Sequence, residues 1–141
     1  MSDLAVMIKR TIRAPVPVVF SAWTEPEQVQ AWWGPVGMTC VGVELDLRIG
    51  GAYAIGNQAP DGQVVWIRGT FLDIEAPRRL VYSWGLGDGP DRERVTVRFA
   101  AVDAGTEVTV VHERIADEAS RASHELGWNG CLDGLGRMFA G

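Results

Sequence analysis

The sequence predicts an α+β fold: seven antiparallel strands covered by one long C-terminal helix, with two short helices between strands one and two. Three observations carry this. Between Leu4 and His112 most segments alternate apolar and polar residues with a period of two. Short turn signals, among them Gly50-Gly51, Pro60-Asp61-Gly62 and Asp103-Ala104-Gly105, separate those segments and make hairpins of them. The period lengthens to that of a helix in the last quarter, Asp117 to Phe139.

The first strand runs from Leu4 to Arg13, with Val6, Ile8 and Ile12 on one face and Arg10 interrupting that face. Pro15 and Pro17 stop it, and Pro17 suits the first turn of a helix whose apolar side is Val18, Val19, Phe20 and Trp23. A second short helix starts at Pro26, carries Val29, Trp32 and Trp33, and ends at Gly34-Pro35. From Met38 to Arg48 the residues Val41, Val43, Leu45 and Leu47 form one face of the second strand, on which Asp46 and Arg48 are placed to pair. Ala52 to Asn57 and Val64 to Glu75 follow as strands, Gly69 marking a bulge or bend in the longer one. Leu80, Tyr82 and Trp84 lie on one face of the fifth strand, and Gly85 to Pro90 is the most glycine-rich loop. Val95, Val97 and Phe99, then Val108, Val110 and His112, complete the sixth and seventh. A meander with one apolar face must cover that face, and only the final helix is long enough to do so.

That helix has three sides. Trp128, Cys131, Leu132, Leu135, Met138 and Phe139 make a bulky apolar one; Ser123, Gly127, Gly130 and Gly134 make one almost without side chains; Glu118, Glu125, Asn129 and Asp133 make a polar one. Each interior glycine costs roughly 1 kcal/mol relative to alanine, so the glycine side marks either a cavity or a close contact with the sheet.

Composition narrows the function. The 141 residues suit a single domain, 1–141, with no repeat or linker. A net charge of −5, with basic residues scattered apart from Lys9-Arg10 and Arg78-Arg79, argues against nucleic acid. No apolar run of spanning length and no secretory signal is readable, so no membrane is expected and the location is expected to be cytoplasmic. Cys40 and Cys131, 91 positions apart and without a Cys/His cluster, read as buried free thiols.

Several strings occur together and in order: Ala22-Trp23-Thr24-Glu25-Pro26-Glu27, Trp32-Trp33-Gly34-Pro35, Glu44-Leu45-Asp46-Leu47-Arg48-Ile49-Gly50-Gly51, Leu80-Val81-Tyr82-Ser83-Trp84 and Gly127-Trp128-Asn129-Gly130-Cys131-Leu132-Asp133. As a set, over essentially the whole chain, they resemble the activator of heat-shock-protein-90 ATPase homologues within the START-like, birch-pollen-allergen-like superfamily. The resemblance implies a helix-grip fold, a curved sheet wrapped round the C-terminal helix with an internal cavity between them. It also implies a choice of functions, since members of that superfamily include carriers of hydrophobic ligands, cyclases and sequestering resistance proteins. The chaperone-activating role goes with eukaryotic proteins that add a separate N-terminal domain, so a part in the stress response is a weaker implication.

For chemistry, His124-Glu125-Leu126-Gly127-Trp128 begins like a zinc-protease helix but has Trp128 where the second histidine must stand, so no metal is expected. Neither Ser83 nor Ser123 lies in a nucleophile elbow, and Gly85, Gly87 and Gly89 lie between strands, so neither acyl transfer nor a nucleotide cofactor is indicated. His112 points to the concave face by alternation, either as a hydrogen-bonded core residue or as the best acid/base candidate of the chain. Trp66 and Phe71 differ in parity along their strand; Tyr82, Trp84, Trp128 and Leu132, with His112, are the residues assigned to the cavity. The leading expectation is binding of a small hydrophobic or aromatic molecule without a cofactor. The alternatives are a cyclase- or hydrolase-type enzyme using His112 with Tyr82, and a chaperone-related interaction module.

Overall fold

The computed structural model describes residues 4–34 and 37–140; Pro35 of the expected helix stop lies outside them. The elements are β1 (Leu4–Ile12), α1 (Val16–Thr24), α2 (Pro26–Trp32), β2 (Thr39–Leu45), β3 (Ala52–Gln58), β4 (Val64–Glu75), β5 (Arg79–Leu86), β6 (Glu93–Val102), β7 (Gly105–Ile115) and α3 (Glu118–Met138). The seven strands form one sheet in the order β1-β7-β6-β5-β4-β3-β2, antiparallel throughout. This is the helix-grip arrangement: β2 to β7 run as a meander, β1 pairs with β7, and α1 and α2 carry the chain between the two sheet edges. Among the described residues no helix is long and apolar enough to cross a membrane.

Alternation predicts the interior well in the long strands. Val6 and Ile12 of β1, Val95, Val97 and Phe99 of β6, and Val108 and Val110 of β7 are all buried. Arg10, the interruption in β1, reaches the polar side of α3, with Nη1 donating to Asp133 and Nη2 donating to Asn129 Oδ1 at 2.8 Å. The covering layer is shared: Phe20 and Trp23 of α1 pack edge-on against Phe99, and Trp23 stacks on Trp128 of α3. The final helix therefore does not cover the concave face alone.

Two expectations fail locally, each for a register reason. In β2 a bulge between Cys40 and Gly42 exchanges the faces, so Cys40 is buried and Val41 exposed. The strand ends at Leu45, and Asp46 and Arg48 form their ion pair in the turn that follows, with 2.6 Å between Arg48 Nε and Asp46 Oδ2. In β4 the bulge lies between Phe71 and Asp73, not at Gly69. Gly69 serves close approach instead, since a Cβ there would lie 2.1 Å from the Ser83 carbonyl oxygen. Trp66 and Phe71 lie on opposite sides of the sheet: Phe71 is buried, whereas the Trp66 ring lies over Gly42 and Gly56.

Candidate functional site

The helix α3 is started by Asp117, whose carboxylate accepts from the Ser120 N–H at 2.8 Å. That register sets His124 and Trp128 four residues apart on one face, turned toward the sheet, where they meet Trp84 from β5 and Trp33 from the end of α2. The ring centroids of Trp33 and Trp128 are 5.3 Å apart, those of Trp84 and Trp128 5.6 Å, and those of Trp33 and Trp84 6.3 Å. Around this triangle lies a cavity of about 280 Å³, lined also by Asn57, Ile67, His124, Gly127 and Cys131. A second chamber of about 30 Å³ lies behind it, lined by Trp23, Tyr53, Phe71 and Tyr82 among others. Trp33 lines both.

One wall of the larger cavity continues into a polar cluster. His112, wholly buried at 0% exposure, lies between two partners: its Nδ1 accepts from the Trp128 indole N–H at 3.0 Å and its Nε2 is 2.7 Å from Glu93 Oε1. Indole nitrogen only donates, so the His112 proton resides on Nε2 and is given to Glu93. His124 stacks on His112, with centroids 4.2 Å apart and planes 24° from parallel, and its Nε2 is 2.9 Å from the same Glu93 oxygen.

Burial works against the Glu93 carboxylate, but the hydrogen bond from His112, with His124 beside it, outweighs burial and holds the group below its usual range. Burial, with the His112 ring next in importance, lowers His124 against the opposing pull of Glu93. Burial also pushes the Cys131 thiol up to about 12 and raises the Tyr82 hydroxyl, so neither is a nucleophile or base near neutral pH.

Glu93, His112 and His124 offer ligand atoms that lie within 4.8 Å of one another, close enough to surround a metal ion. The donor chemistry does not fit one as it stands. A metal on His112 Nε2 would move the ring proton to Nδ1, directly against the Trp128 N–H. The cluster fits better as a hydrogen-bonded Glu–His pair with a second histidine at the cavity's edge.

Of the residues assigned from sequence, Trp84 and Trp128 line the larger cavity. His112 lies behind Trp128 and holds its indole. Tyr82 lines the smaller chamber, and Leu132 is core at 0% exposure. Tyr82 and His112 do not form the acid/base pair considered for them. Both are register partners of Val95, which stands between them, so two strand spacings, about 9.6 Å, separate their backbones. Sequence reasoning missed Trp33, Asn57, Glu93 and His124. The signal for His124 was available, since it lies one helical turn before Trp128 on the same face; Glu93, from the far end of a glycine-rich loop, gave none.

The glycine side of α3 splits between the two possibilities raised for it. Gly127 lines the cavity. Gly134 makes a close contact, with α2 rather than the sheet: a Cβ there would lie 2.3 Å from the Trp32 carbonyl oxygen.

Comparison with known proteins agrees with this architecture. Protein CV1439 from Chromobacterium violaceum has a TM-score of 0.88 and 28% identity, over 97% of this chain and 98% of its own. An AHSA1-like protein from Aeromonas hydrophila scores 0.77 with 30% identity, over 95% and 90%. CalU16 from Micromonospora echinospora scores 0.75 with 29% identity, over 96% and 76%. A comparison with curated proteins finds no match. The family model described as "Activator of Hsp90 ATPase homolog 1-like protein" matches residues 13–140, and the chain belongs to that family.

Proposed function

We propose that this protein is a START-like domain that binds a small hydrophobic or aromatic molecule in the cavity between the sheet and α3, as a cytoplasmic binder that needs no cofactor. The observation that carries this reading is the 280 Å³ space at the meeting point of Trp33, Trp84 and Trp128. Large apolar side chains ordinarily pack against one another, whereas here three indoles from three separate elements line a cleft whose border includes the exposed Val65 and Leu86. That volume is near the lower end of small-molecule sites, which run from about 300 Å³ upward. Gly127 contributes by presenting no side chain to the space. Binding is favoured over turnover through His112, because both of its ring nitrogens are already engaged and Tyr82 lies two strands away, with Val95 between them.

Thermal unfolding in the presence of two-ring aromatics and medium-chain fatty acids tests the reading. A ligand bound to the folded state raises the midpoint with its concentration. The rise is expected for the wild type with at least one compound, and is expected to be lost in Gly127→Leu, which adds a bulky side chain at a residue that lines the space. A wild-type midpoint unmoved by every compound would count against binding.

A further inference from the structure

Buried polar atoms almost always have partners. Among the described residues three buried side-chain atoms have none: Trp33 Nε1, Asn57 Oδ1 and Trp84 Nε1. All three belong to residues that line the same cavity, the one bordered by Trp33, Trp84 and Trp128. The contrast with the neighbouring indoles is informative. Trp32 Nε1 donates to the Ala22 carbonyl at 2.8 Å, and Trp128 Nε1 donates to His112 at 3.0 Å. The buried indoles left without acceptors are thus two that border the cavity. Trp33, Asn57 and Trp84 are 5%, 5% and 6% exposed, so bulk water is a poor partner for them.

We propose that the ligand of this cavity is an uncharged one- or two-ring aromatic compound bearing a carbonyl or hydroxyl oxygen, taken up by the indole N–H groups of Trp33 and Trp84 and the amide of Asn57. The proposal rests on the ligand-binding reading above and names the ligand's chemistry. Two indole donors ask for an acceptor oxygen. The unpartnered Asn57 Oδ1 is an acceptor and takes a hydroxyl donor on the ligand. The indole faces supply the stacking surface for the rings.

The absence of charge follows from what surrounds the space. No lysine or arginine is among the residues that line it. His124, the titratable base at its edge, is held toward the neutral form by burial and by the His112 ring. Behind it Glu93 carries negative charge that repels an anion. A carboxylate entering such a site would lose its hydration without gaining a counter-charge.

The test compares three matched probes on the intact protein by isothermal titration calorimetry: 1-acetonaphthone, its hydrocarbon counterpart 1-isopropenylnaphthalene, and 1-naphthoate. The ketone is expected to bind at least about tenfold more tightly than either of the others. In Trp84→Phe, which keeps a ring and removes one N–H, the ketone is expected to lose affinity while the hydrocarbon does not. Equal affinity for ketone and hydrocarbon overturns the polar recognition but leaves the binding reading intact. Tighter binding of naphthoate overturns the uncharged class. Failure of all three to bind overturns this proposal, and the reading beneath it falls with it only if the fatty acids and other aromatics also leave the wild-type unfolding midpoint unmoved. The wild-type comparison decides even if Trp84→Phe does not fold.

Discussion

At the scale of single residues, His112 shows how a buried polar group is made tolerable. With both ring nitrogens occupied, by Trp128 and Glu93, it has the full set of partners that burial requires. The alternation of β7 was enough to place it on the concave face. Its partners were hidden, because one comes from 19 residues earlier and the other from 16 residues later. Trp128→Phe removes the donor and leaves Nδ1 unpaired in a dry site. It is expected to destabilise the fold by about 2 kcal/mol or more, combining the unmet acceptor with the lost ring volume. Urea unfolding measures this, and a double-mutant cycle with His112→Phe should show a coupling of about 1 kcal/mol. A coupling near zero would mean that the bond contributes nothing.

At the scale of elements, the glycines of α3 differ in what they do although sequence presents them alike. The helical period placed Gly134 on a bare side, and the structure sets that side against the Trp32 carbonyl of α2. A Cβ on Gly136 meets nothing within 4 Å. Gly134→Ala is therefore expected to force α3 and α2 apart, at a cost of about 1–3 kcal/mol typical of overpacking. Gly136→Ala should stabilise the helix by up to about 1 kcal/mol, the ordinary difference in propensity. Thermal or denaturant unfolding of the two variants side by side checks the pair; equal effects would mean that the close approach does not constrain the helix. The bulges of β2 and β4 were illegible for a related reason: an extra residue in one strand is defined by its partner strand, and alternation within a strand does not record it.

At the scale of the whole molecule, the Glu93–His112–His124 cluster joins β6, β7 and α3, so its protonation bears on the stability of the fold. His124 and Glu93 are both held below their ordinary values, and each therefore binds a proton less readily folded than unfolded. Their contribution to stability is present above those ordinary values, 6.5 for His124 and 4.5 for Glu93, and is lost as the pH falls. The melting temperature is expected to fall by a few degrees between pH 7.5 and 5.5, through His124, and further as Glu93 titrates. In His124→Gln the first part of that fall should disappear. Circular dichroism melts across the range decide it, and a wild-type profile flat from pH 7.5 to 5.5 would show that His124 is not held in its neutral form.

The sequence by itself determined the α+β class, the strands and helices in order, most of the buried face of the long strands, and the family. These rest on periods of two and 3.6 and on turn residues, which are local properties of the chain. The tertiary structure alone decided which aromatic residues border open space and which are packed. Trp84 and Tyr82 share a strand face, yet one lines the larger cavity and the other the smaller chamber. It alone decided, too, that Glu93 and His124 join His112 and that, among the described residues, three buried polar atoms are left without partners at one cavity. The physical reason is that a cavity and an unmet hydrogen bond are relations among elements distant in the chain. No window of sequence contains all of the atoms that define them.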